Sequence, residues 1–241
     1  MTPRSIANAA GLLLACAILA VIITAVISPW TIARLTQGLP GFGHEVDGPT
    51  TCTSNEKQIG LALLQYAEDN DHRLPPFHTE VAGKPASWRK SIGPYLGSPA
   101  ILKCPVDPAA ALLDDERDAP RSYALNAALD EPRLNGLKNT DGVIMITEST
   151  SPLPDFDPLQ PDLFARAWSS DAKTGAMFLH GSGSNFLFAD GHVKTLNPLL
   201  TIGAADSDPV NHWTIDCSPY SVDDLKKAQF TLGYAIENAN R

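Results

Sequence analysis

At 241 residues, 44% hydrophobic and 19% charged, the chain is long enough to bury a sizeable core, which excludes wholesale disorder. Its formal net charge is −9 and all 27 acidic residues lie beyond position 40, so the part after that point carries about −11 with histidines neutral. A body of that sign is repelled by phosphate backbones and anionic headgroups, which argues against a nucleic-acid partner and against membrane binding through a basic patch.

No charge occurs between Arg4 and Arg34, and Ala9 to Ile27 is an unbroken run of apolar or small residues with one threonine. As a helix that run spans roughly 30 Å, the thickness of a bilayer core, so residues 1–38 are expected to form a single-pass transmembrane anchor. Trp30 suits the headgroup interface just past the run. A cleaved signal peptide fits less well, because its apolar core is shorter and no A-x-A site follows Ile27. Cys16 reads as a membrane-helix residue rather than a lipid-modified one. The expected orientation is N-terminus inside, C-terminus outside.

Residues 39–52, rich in glycine and proline, read as a linker leaving the membrane. A capping box at Thr53 and Glu56 is expected to open a helix whose apolar stripe is Ile59, Ala62, Leu63, Tyr66 and Ala67. Arg73 to Phe77 reads as a rigid turn and Ser87 to Leu96 as a short, proline-interrupted helix anchored by Trp88. Strands are expected at Ser122–Asn126 and Gly142–Thr147, with a proline-rich loop over 149–162. Asp190-Gly191, between the runs 185–189 and 192–196, predicts a β-hairpin with a type I′ turn. After a polar loop, Ser221 to Asp224 caps a last helix with Leu225, Ala228, Leu232 and Ala235 on its apolar face. The expected fold class is therefore α+β, with an α+β domain over 53–199 and a C-terminal extension with a helix over 200–241.

Three separated segments resemble bacterial prepilin-like proteins, namely the type II secretion pseudopilin G group and relatives with a C-terminal H-x9-DG domain. Cys52 to Tyr66, with Asn55, Gly60 and Tyr66, followed by Leu74-Pro-Pro76, is similar to the family's first soluble helix and its exit turn. Pro94-Tyr-Leu96, Leu102 to Asp107 and Ser122 to Asn126 follow in the family's order. His180, then nine residues, then Asp190-Gly191 completes the pattern. The resemblance implies a pilin-like fold, in which a long N-terminal helix, half in the membrane, packs on an antiparallel sheet, and it implies filament or secretion-system assembly without catalysis. One departure stands out. Ser5 to Gly11 occupies the place of the family's Gly-Phe-Thr-Leu-Ile-Glu type processing site and contains no acid.

The histidines offer no zincin spacing, so no metal site is expected. His180 and His192 flank the hairpin near Asp190, a conceivable metal geometry, yet turn chemistry at Asp190-Gly191 and a loop hydrogen bond from His180 account for them better. His180-Gly-Ser-Gly-Ser184 is not G-x-S-x-G, which argues against a serine hydrolase. Asp206 and Asp208 are spaced like calcium ligands but fall short of the six to eight oxygens that ion takes. Cys52 and Cys104 are the candidate disulfide, leaving Cys217 single.

The sequence thus points to a non-enzymatic, pseudopilin-like structural or assembly protein. It would sit in the bacterial inner membrane, with the bilayer and secretion-system proteins or further copies of itself as partners, and its C-terminal domain would be periplasmic. The alternative is an anchored extracytoplasmic binding module that reuses the fold without polymerising.

Overall fold

In the computed structural model, residues 48–107, 122–149, 153–160, 180 and 183–239 are described, and they belong to one compact unit. The expected anchor at 1–38 and most of the expected linker lie outside these residues. Among the described residues no helix is long and apolar enough to cross a membrane.

Helix α1 runs from Gly48 to Asp69, so it starts inside the segment expected to be linker. Pro49 does not prevent this, because the first turn of a helix leaves its N–H groups unpaired and proline supplies none there. The expected stripe is real: Ile59, Ala62, Leu63 and Ala67 are buried and Tyr66 half-buried, with Leu61 exposed on the far side. A short hairpin follows, β1 (His78–Val81) and β2 (Lys84–Ser87), turning through Ala82 and Gly83 with φ of 54° and 73°. Positive φ at both central residues is the type I′ signature, here without the usual Asn-Gly or Asp-Gly pair. The helix expected at Ser87–Leu96 is reduced to one turn, α2 (Trp88–Ser91), and a 3-10 turn at Gly93–Tyr95.

The main sheet has the order β5-β3-β4-β6-β7, with β3 Tyr123–Asn126, β4 Ile144–Glu148, β5 Asp155–Phe156, β6 Ser184–Phe188 and β7 Val193–Leu196. All pairings are antiparallel except β3 with β5. The chain is α+β, and β5 forms within the segment expected to be loop. The β6–β7 hairpin is where the sequence places it, but its turn is not type I′. Only Gly191 has positive φ, at 92°, while Gly191 N–H bonds Phe188 O and Phe188 N–H bonds His192 O. That is a three-residue loop closed by a glycine bulge.

The two faces of the sheet are both covered. On one, α1 packs through Ile59 and Leu63 with Leu125, Met145 and Leu187. On the other, Ala124, Ile144, Phe186 and Phe188 meet Trp213, Ile202 and the last helix, α3 (Val222–Ala239), through Ala228 and Leu232. A bulge between Ile144 and Ile146 in β4 breaks the alternation, so that Met145 and Ile146 both join the α1 side. Ser221 caps α3 as expected, accepting from Asp224 N–H at 3.1 Å and donating to its carboxylate at 2.8 Å. The side chain of Ala235 lies outside the described residues.

Gly60 sets how closely α1 approaches the sheet, since a Cβ there would lie 3.0 and 3.1 Å from the two Leu187 methyls. Gly60→Val is expected to cost about 1–3 kcal/mol by overpacking. Gly60→Ala should be nearly neutral, because the flexible Leu187 tip can yield and alanine favours the helix by about 1 kcal/mol. Urea unfolding with an unchanged m-value checks both.

Candidate functional site

Glu148 ends β4 with its side chain wholly buried, and a carboxyl taken out of water is tolerated only where donors replace its hydration. Asn185 supplies two, its backbone N–H at 2.8 Å and its Nδ2 at 3.1 Å. Ser184 Oγ donates at 3.2 Å, and His180 Nε2 lies 2.6 Å from Oε1. This donor set matches the acceptor-only oxygens of a carboxylate. Strand register creates it: Thr147 pairs with Phe186, so Glu148 comes opposite Asn185. A bridge between His180 and Gly183 sets His180 beside the start of β6, where the imidazole reaches the same carboxyl.

Beside this pair sits the Cys52–Cys104 disulfide, with Cα atoms 5.2 Å apart and both residues buried. It ties the first turns of α1 to the segment before β3, and Asn55 Nδ2 adds a bond to Lys103 O at 3.1 Å. Cys104 Sγ is 3.9 Å from His180 Nε2. The two sulfurs, the ring nitrogen and a Glu148 oxygen all lie within 4.8 Å of one another.

Glu56 is the unexpected member. The capping-box reading placed it at a helix start with its carboxyl turned to backbone N–H groups, but α1 begins eight residues earlier, at Gly48, and Glu56 faces the core. Neither of its oxygens has a hydrogen-bond partner. Burial first, and the charge of Glu148 second, push its pKa well above the usual carboxylate range. Glu56 therefore keeps its proton at pH values where an ordinary glutamate has lost it. Burial above all pushes the Tyr123 phenol up in the same region.

The other residues singled out in the sequence divide among several places. Asp190 caps its own turn, accepting from His192 N–H at 3.0 Å, with His192 Nδ1 2.6 Å away. His192 stacks on Phe188 with ring centroids 4.3 Å apart and belongs to no cluster with His180. Gly191 takes the positive φ of the bulge, Gly60 meets Leu187, and Tyr66 packs edge-on against Tyr95. Asp208 faces His212 Nε2 at 3.1 Å and also accepts from Val210 N–H, while Asp206 is exposed and shares no cluster with it. Ser184 directs its hydroxyl at Glu148, and Ser182 lies outside the described residues. Cys217 is unbridged and accepts from Asn139 Nδ2 at 3.3 Å.

Sequence reasoning missed Glu148 and Glu56. A signal for Glu56 was present: with Cys52, Ile59 and Leu63 it follows the helical spacing of the buried stripe. No family profile, curated protein or solved structure matches the chain.

Two expectations follow from the acids. Glu148→Ala leaves the donors of Asn185 and Ser184 and the His180 ring without their acceptor, and should cost about 3–5 kcal/mol in urea unfolding, more than His180→Ala at about 1–3. Glu56 makes stability fall as pH rises. Below the unfolded-state value of about 4.3 both states hold the proton, and above it the native chain keeps a proton that the unfolded chain has lost. Glu56→Gln should therefore flatten the decline in melting temperature as pH rises above the unfolded-state value of about 4.3, by up to about 1.4 kcal/mol of stability per pH unit. An unchanged slope would show that Glu56 is not the proton holder.

Proposed function

We propose that this chain is a non-enzymatic, pilin-like structural domain held at a membrane by its first segment, serving assembly in a secretion or pilus-type system. The observation that carries the reading is the packing of α1 across an antiparallel run of strands, β3-β4-β6-β7, whose last hairpin bears Asp190-Gly191. That helix begins at Gly48, a short distance along the chain from the apolar run at residues 9–27. The motif residues engage within the domain: Asn55 with Lys103, His180 with Glu148, Asp190 with His192. Such roles suit a scaffold. The Cys52–Cys104 disulfide supports an oxidising, extracytoplasmic setting for the domain.

A second reading, an anchored binding module that does not polymerise, draws on a polar depression where α1 ends. Asp69, Asp71, Arg73 and Glu131 line it, and Asp71, His72 and Glu131 hold φ of 55°, 61° and 52° there. Left-handed backbone away from glycine is uncommon, although aspartate and histidine take it more readily than most, and it collects at sites where geometry matters.

Oxidative cross-linking in native membranes separates the two readings. With Leu61→Cys on the exposed side of α1, in a chain whose Cys16 and Cys217 are replaced by serine, an assembling subunit should give cross-linked copies beyond the background of the parent chain. Monomers alone, together with an intact mass retaining the apolar run and no methylated amine, would leave the binding module in first place.

A further inference from the structure

We infer that Cys52, Cys104, His180 and Glu148 form a zinc site that the disulfide closes and reduction opens. This goes beyond the structural role proposed above and stands without it. In the oxidised chain the sulfurs are committed to each other, and His180 Nε2 is engaged with Glu148 Oε1 at 2.6 Å. Once the sulfurs are thiolates, the same four atoms become two sulfurs, one imidazole nitrogen and one carboxylate oxygen. They already lie within 4.8 Å of one another. A tetrahedral zinc with bonds of about 2.0–2.3 Å separates its ligand atoms by roughly 3.3–3.8 Å, so small side-chain movements suffice. The Sγ of Cys104 stands 3.9 Å from His180 Nε2, close to that spacing. Soft sulfur with imidazole selects zinc over calcium or magnesium.

The surroundings are those of a built site. All three of Cys52, Cys104 and Glu148 are fully buried, and the His180 side chain is 3% exposed. The Oε2 of Glu148 is held from behind by Asn185 N–H and Ser184 Oγ, the kind of outer support that orients a ligating carboxylate. One turn along α1 from Cys52, the carboxyl of Glu56 is buried without a partner.

Opening requires two electrons. A dithiol donates them, closing to its own disulfide, while Cys52 and Cys104 each take up an electron and a proton. Zinc entry then releases those two protons to solvent, and coordination through Nε2 places the ring proton of His180 on Nδ1.

Cobalt(II) is the probe, added to the full chain in detergent with Cys16 and Cys217 replaced by serine, before and after reduction by a phosphine removed under argon. The reduced chain should bind one cobalt with thiolate charge-transfer and strong tetrahedral d–d bands, zinc should displace it, and the oxidised chain should show neither band. His180→Gln should weaken binding about tenfold or more and change the d–d spectrum. Absence of a thiolate–cobalt band in the reduced chain overturns the proposal. So does an identical spectrum and affinity in His180→Gln, which would mean that two thiols of an opened chain bind cobalt without the site.

Discussion

A buried carboxylate needs donors wherever it is placed, and Glu148 makes that requirement the organising constraint of the domain. It draws on the start of β6 through Ser184 and Asn185, and on the residue ahead of that strand through His180. Asn185 in turn accepts from Thr195 on β7 at 2.7 Å. A single side chain therefore connects β4, β6, β7 and the histidine that begins the H-x9-DG spacing. The spacing itself has a plain mechanical meaning in this fold. Its histidine lies ahead of β6 and its Asp-Gly lies just past it, so the spacing brackets the five-residue strand.

The second constraint is that β4 and β6 are buried on both faces, which an α1-on-sheet arrangement alone cannot achieve. Trp213, Ile202 and α3 supply the missing cover, with Trp213 Nε1 donating to Thr201 Oγ1 at 2.8 Å so that the indole's polar edge is satisfied. Ile202, Trp213, Ala228 and Leu232 are thus part of the core. The bulge in β4 belongs to the same solution. It lets Met145 and Ile146 turn towards α1 while Ile144 stays on the α3 side, so two layers of unequal width are filled by one strand.

What was legible in the sequence was local. The stripe of α1, the cap of α3 and the runs of β3, β4, β6 and β7 each announce themselves within ten or so residues, and each lies within a few residues of its expected place. What was not legible depended on partners distant in the chain. β5 is two residues among prolines and exists because β3 offers it an edge. Glu148 and His180 are 32 positions apart, and nothing in either neighbourhood indicates the other. The turn types changed places for a related reason. Asp190-Gly191 carries the sequence signal for a type I′ turn, but the aspartate is used to accept from His192, whereas Ala82-Gly83 adopts type I′ with no signal beyond the glycine. Local propensity ranks options, and the surrounding contacts choose among them.

Glu56 is the residue most at odds with stability, and its position explains why it can be tolerated. A carboxyl buried without a hydrogen bond costs about 1–3 kcal/mol on the scale of mutational data. One turn earlier on the same helix, Cys52 closes a loop of 52 residues with Cys104, which on chain-entropy grounds stabilises the fold by about 4 kcal/mol. The cross-link exceeds the penalty. The two opposing contributions act on the same short stretch of α1, and the proton held by Glu56 keeps a second negative charge away from Glu148.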